Sequence, residues 1–128
     1  MCLVIKKLES KIADKDIICY KLVKRTKTKG IYESSFQGFE YVIRQLYTNN
    51  LDIRFANKRI KRYFYKCFYK IKEGMFHSYK SNPYPTLNTS SYYVLLKCII
   101  PKGAYYFEGY FGNCPSYASS QIKILEEL

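Results

Sequence analysis

Few residues in this chain can do chemistry. Its single imidazole, His77, stands in "EGMFHSYK" with Ser78 and Tyr79 beside it. A histidine works as a general base when a carboxylate orients it and a nucleophile or water lies within hydrogen-bond reach. Glu73 is the neighbour in sequence and Glu108 a distant candidate. The same ring also caps turns and completes packed corners, and the sequence leaves both roles open. The stretches "NTSSYY" and "SYASS" add hydroxyls close to chain reversals. They can meet phosphate or ribose oxygens, or simply close local turns. One enzymatic layout uses all three groups: an ADP-ribosyltransferase-like site with Glu108 as the acid and His77 and Ser119 on the dinucleotide. Phosphate-cradling glycine loops and the Gly-x-Ser-x-Gly elbow are absent from the sequence.

Cysteine chemistry points away from metal. The five cysteines (Cys2, Cys19, Cys67, Cys98 and Cys114) include no CxxC pair, whereas tetrahedral zinc takes four N or S ligands at suitable spacing. Cys19, Cys67 and Cys98 lie in apolar or aromatic runs and read as small buried hydrophobes. No metal and no cofactor is expected. The N-terminal "MCLVIKKLESK" lacks the apolar core of a signal peptide, and no apolar run has bilayer-spanning length. A reduced cytoplasm is the expected compartment.

Charge gives the strongest lead. The net charge is +12, and residues 54–72, "RFANKRIKRYFYKCFYKIK", hold eight Lys or Arg and six Phe or Tyr with no acid. Phosphates attract Lys and Arg while bases stack on aromatic rings, so the interleaving suits an anionic partner. Arg59, Lys61, Arg62, Lys66, Lys70 and Lys72 are the anion-binding candidates. The alternative is a basic solubilising surface. On a continuous strand, Tyr63, Tyr65 and Tyr69 would face one way and Arg62, Lys66, Lys70 and Lys72 the other.

The elements that must position these groups read as follows. With 128 residues and no repeat or linker, the chain is expected to be a single domain, 1–128. "DIICYKLVKR" is a strand, and "TKTKG" a turn closed by Gly30. "FQGFEYVIRQLY" alternates as a second strand, with helix as a rival, since Phe39, Val42, Ile43 and Leu46 also fit a helical face. Five aromatics within seven residues favour a strand from about Arg62 to Lys72. Gly74 ends it, and a loop containing Pro83 and Pro85 follows. "YYVLLKCII" is apolar enough to be a central strand. Pro101 stops it, Lys102 and Gly103 turn the chain, "AYYFEGYFG" returns, and "SQIKILEEL" closes the chain as a strand or short element. The expected fold class is α+β: one compact, mostly antiparallel sheet with one or two short helices.

The order "KDIICYKLV", "FQGFEYVIRQLY", "GMFHSYKS", "YYVLLKCIIPKGAYYFEG" and "YASSQIKILEEL" resembles a family of small uncharacterised domains of bacteriophages and gut bacteria. The likeness rests on Gly74 with Phe76 and His77, on Pro101, Lys102 and Gly103, and on Tyr117, Ala118 and Ser119. It implies a phage or mobile-element setting, action in the cytoplasm of a bacterial host, and no assigned activity. Together these readings lead to a non-enzymatic binding protein whose basic half engages an anionic partner. That partner is an acidic host protein or ribonucleoprotein, a nucleotide signal or a nucleic acid, and an inhibitor of a bacterial defence system fits the size and charge. A signal-sequestering protein, an accessory phage structural protein and the ADP-ribosyltransferase-like enzyme are the alternatives.

Overall fold

The computed structural model describes residues 3–5, 10–34, 39–48, 60–62, 69–71, 75–82 and 93–128. Every regular element among them is a strand: β1 (Leu3–Ile5), β2 (Lys11–Ile12), β3 (Ile17–Arg25), β4 (Ile31–Ser34), β5 (Glu40–Val42), β6 (Leu46–Thr48), β7 (Ile60–Arg62), β8 (Tyr69–Ile71), β9 (Phe76–Tyr79), β10 (Tyr93–Ile100), β11 (Tyr105–Phe111), β12 (Cys114–Ser119) and β13 (Gln121–Glu127). The expected α+β class is therefore corrected to all-β. The helix-compatible spacing in "FQGFEYVIRQLY" is overruled by β-branched and aromatic residues that pack better on a pleated surface. No described helix exists to cross a membrane.

All pairings are antiparallel, and the strands follow the order β6-β13-β10-β3-β9-β12-β11-β1-β8-β7, with β2 on β11 and β4 joining β3 to β5. β10 runs along the whole of β3, from Tyr93 opposite Lys24 to Ile100 opposite Ile17. Its central position was expected from its apolar run.

Chain connectivity forces this sheet to fold over on itself. β12 and β13 are joined through Ser120 alone, yet β9, β3 and β10 lie between them in the strand order. In a flat sheet they would sit about 19 Å apart, at ~4.8 Å per strand. One linking residue gives a reach of only about 7 Å, at ~3.8 Å per Cα step. Curling is the only solution, and Ser120 forms the corner where the chain passes from one half of the sheet to the other. β10 and β11 repeat the pattern: the turn at Lys102 and Gly103, with Gly103 at φ +91°, leads across the fold and not into a hairpin. The expectation that "AYYFEGYFG" returns is corrected in this respect, since β11 pairs with β12, β2 and β1.

Backbone hydrogen bonds knit the corner. Ala13 N–H donates to Ala104 O (2.9 Å), Gly103 N–H to Ala13 O (2.8 Å) and Ser120 N–H to Tyr105 O (2.9 Å). Tyr105 N–H reaches the Ser120 hydroxyl at 3.0 Å, and Lys102 N–H reaches Asp16 Oδ1 at 2.9 Å.

Inside the curl, Cys19, Val23, Val94, Leu96, Cys98, Ile100, Ile122 and Ile124 form the core with Tyr32, Tyr41 and Tyr117. Each fully buried Leu or Ile stabilises the fold by about 1.5–3 kcal/mol relative to an exposed one. Phe107, Phe111 and Ala118 are buried outside this cluster, on the other face of the sheet by ladder parity. β12 is thus packed on both sides, and its small residues Ser116, Ala118 and Ser119 permit that.

Two segments divide where one strand was expected. "FQGFEYVIRQLY" forms β5 and β6 around a turn at Ile43 and Arg44, the latter at φ 67°. Arg44 N–H is held by Ile124 O at 2.8 Å, which pulls β6 onto β13 while β5 pairs with β4. The proposed single strand from Arg62 to Lys72 is likewise corrected, because β7 and β8 are antiparallel neighbours. Tyr63, Tyr65, Lys66, Cys67 and Lys72 lie outside the described residues.

Candidate functional site

The ladder register places the three catalytic candidates. Glu108 pairs with Tyr117, and Tyr117 with Ser78, so these residues share a face; Ser119, two residues from Tyr117, shares it too. His77 pairs with Ala118 and takes the opposite face. The groups that an NAD-directed site would bring together are therefore separated by the thickness of the sheet.

Each of the three is also otherwise engaged or shielded. Glu108 pairs with Lys11 Nζ at 3.2 Å in an exposed ion pair. Ser119 is fully buried, and its hydroxyl has one proton, which goes to Gln121 O at 2.9 Å with Phe76 O a longer alternative at 3.4 Å. Neither ring nitrogen of His77 has a hydrogen-bond partner among the described residues. Burial, reinforced by the nearby Lys21 charge, holds its pKa down at about 3. The imidazole packs against Phe111 at 5.4 Å, tilted by 42°. It is a neutral ring in an aromatic corner with no orienting carboxylate.

Sequence reasoning missed the most unusual ionisable group. Lys21 lies on the inner face of β3, between Cys19 and Val23, and is 8% exposed. Its Nζ donates to the backbone carbonyl of His77 at 2.5 Å and stands 5.1 Å from the centroid of the Tyr41 ring. Burial lowers its pKa, against smaller upward pulls from Cys98 and Cys19. The same burial raises the Cys19 thiol to about 11, offset in part by the Ser78 hydroxyl and the Lys21 charge. It raises Cys98 and Tyr41 as well. Cys19 and Cys98 face each other across β3 and β10. Both are free and buried, as the sequence reading expected, and such thiols are inert small hydrophobes. Period-two alternation could not reveal the lysine. Ile18, Tyr20 and Leu22 make the other face of β3 as apolar as its own, so the pattern did not distinguish inside from outside.

The anion-binding candidates fall at the far end of the sheet. Lys61 and Arg62 belong to β7, the last strand in the order, and Lys70 to β8; Arg59, Lys66 and Lys72 lie outside the described residues. Lys61 is directly opposite Lys70, and Arg62 is opposite Tyr69. The continuous-strand grouping of Arg62 with Lys70 is thereby corrected: the reversal between β7 and β8 puts Lys61 in register with Lys70 and places Arg62 with a tyrosine. The next strand continues the row, with Val4 opposite Lys70 and, on its other side, opposite Tyr110. Tyr110 is 45% exposed.

Among the described residues, no group of three or more His, Cys, Asp or Glu is placed to hold a metal ion. Comparison with protein-family models, with curated proteins and with solved structures finds no match to this chain.

Proposed function

We propose that this protein is a non-enzymatic binding protein that engages an anionic partner through the basic segment 54–72. The observation that supports it most is the register of Lys61 opposite Lys70 at the outermost pair of strands. That register brings two basic positions of the segment side by side at one end of the strand order. Charge distribution agrees, because residues 54–72 carry +8 of the net +12. The resemblance to phage domains sets the expected context: action in the cytoplasm of a bacterial host, with an acidic host protein, a ribonucleoprotein or a nucleotide signal as partner. An inhibitor of a host defence system is the role that best fits this context.

A charge-matched comparison tests the reading. In one variant Arg59, Lys61, Arg62 and Lys70 become Ser; in the other the exposed lysines Lys15, Lys27, Lys29 and Lys102 do. Retention on immobilised heparin should fall markedly in the first and only slightly in the second. Equal losses would reduce the segment to its share of net charge and remove the proposal.

A further inference from the structure

We infer that Cys19 and Cys98 are a redox pair: a cross-strand disulfide that closes when the chain folds in the presence of an oxidising disulfide, and that the finished fold shields from exchange. The two residues stand directly opposite each other in the β3–β10 ladder. Hydrogen bonds elsewhere on these strands fix the kind of pair they make. Successive residues of an antiparallel strand turn their N–H and C=O to opposite edges. Thr26, continuing β3, donates its N–H to Ile31 O on the β4 side, and Leu95 O of β10 accepts from Leu128 N–H on the β13 side. Cys19 is seven residues from Thr26 and Cys98 three from Leu95, so both turn their backbone groups toward each other. A hydrogen-bonded pair of this kind has its Cα atoms about 5.5 Å apart, inside the ~4.4–6.8 Å range of disulfides. The Cβ atoms start at up to about 5.5 Å, and a disulfide draws them to about 4 Å. The bond is therefore strained and is easily reduced once exposed.

In the reduced fold each thiol rests on another atom. The Cys98 S–H points to Leu96 O at 3.8 Å, and the Cys19 thiol lies beside the Ser78 hydroxyl. Both residues are fully buried, with β10 enclosed between β3 and β13, and β3 between β10 and β9. Burial also raises both thiols, which withholds the thiolate that exchange requires. Closure belongs to the folding chain, as native β3–β10 pairing selects these two cysteines and before the core shuts. One cysteine, as thiolate, attacks the sulfur of a small disulfide such as oxidised glutathione; a mixed disulfide forms and one glutathione thiolate leaves. The second cysteine attacks the protein sulfur of that mixed disulfide and expels the other glutathione. The protein gives up two protons and two electrons, and the two glutathione thiols take them up. Cys114, the third described cysteine, stands opposite Phe111. A bond from Cys19 to Cys98 spans more than half of the chain, so it restricts the unfolded state and raises stability.

The test unfolds the reduced protein in urea and refolds it by dilution into a mixture of oxidised and reduced glutathione. Iodoacetamide in urea then blocks the remaining thiols, and non-reducing peptide mass spectrometry reads the links. The principal linked pair should be Cys19 with Cys98, lighter by two hydrogens. The urea midpoint should rise by about 1 M over protein refolded in dithiothreitol, and reduction in urea should abolish the gain. Native reduced protein kept in the same mixture should retain both thiols. A Cys2→Ser/Cys67→Ser/Cys114→Ser variant should form the same link, and Cys98→Ala should show no rise in midpoint; mapping of the wild type does not depend on either variant folding. The inference is overturned if Cys19 and Cys98 stay free after oxidative refolding, or are joined to other cysteines or to glutathione. It is equally overturned if the native protein forms the link as fast as the refolding chain.

Discussion

The ammonium of Lys21, in the middle of β3, donates to the backbone carbonyl of His77 on β9. The β3–β9 ladder has one registered pair, Tyr20 with Tyr79, and farther along the same edge of β3 its place is taken by β4 from Val23 onward. At this change of partner an interior lysine donates to a strand carbonyl. The cost is a buried cation, offset in part by a carbonyl dipole and the face of Tyr41.

That cost gives Lys21 a characteristic pH dependence. Its folded pKa is lowered from 10.5, so between the folded value and 10.5 the unfolded chain binds more protons and folding stability rises with pH. Lys21→Met removes this rise. Urea unfolding at pH 7 and at pH 9.5 should show the wild type gaining stability relative to Lys21→Met at the higher pH. Parallel behaviour of the two proteins would mean that the ammonium is not buried. Lys21→Ala, which also opens a cavity, should cost about 2–4 kcal/mol.

His77 acts on the acid side. With a pKa lowered from 6.5 to about 3, the folded state resists protonation, and stability falls as pH drops through that window. The effect amounts to about 5 kcal/mol in total. His77→Phe keeps the packing against Phe111, removes two unpaired nitrogens and should flatten the acid limb. An unfolding midpoint that still drops steeply between pH 6 and pH 4 in this variant would place the titrating group elsewhere.

Cys19 and Cys98, both fully buried, should resist iodoacetamide in the native state at pH 8 and react once the chain is unfolded. Of the three described cysteines, Cys114, half-buried at the start of β12, should react first. Peptide mass spectrometry reads the order directly. Alkylation of Cys19 in the native protein at the rate of Cys114 would contradict the closed core.

The end of β13 is tied to β3 and β4 by one carboxylate. Glu127 accepts from the Tyr32 hydroxyl at 2.5 Å and pairs with Arg25. The tyrosine hydrogen bond, more than the arginine, lowers the Glu127 pKa. Burial and the same contact raise Tyr32 to about 12. The stability contributed by Glu127 is present above pH 4.5 and is lost as pH falls through its lowered folded value. Tyr32→Phe should cost about 1 kcal/mol at pH 7, with most of the difference gone at pH 2. A cost that persists unchanged at pH 2 would point to packing alone.

Much of the fold was legible in the residues. The apolar run of β10, the strand at β3 and the turns at Gly30 and Gly103 follow from hydrophobic content and turn chemistry, which act locally, whereas the chain's end was left as a strand or a short element and is the strand β13. The two split segments were not legible in the same way. Alternation continues through Ile43 and Arg44, and the strand breaks there through the turn at Arg44 and its hydrogen bonds with Ile124, a residue distant in sequence. Of the site residues, the basic candidates were visible as charge, while the buried Lys21 looked like any lysine of an alternating strand.

By itself the sequence determined a cationic, aromatic-rich chain with strong β propensity, because charge and propensity are properties of residues and their near neighbours. It left one or two short helices expected where the fold has only strands among the described residues. The tertiary structure decided which faces those residues share. A one-residue corner at Ser120 forces the sheet to curl, while ladder register puts Lys21 inside, His77 on the far side from Glu108 and Lys61 opposite Lys70. Register across a ladder depends on which distant strand is the partner, and no local pattern encodes that choice.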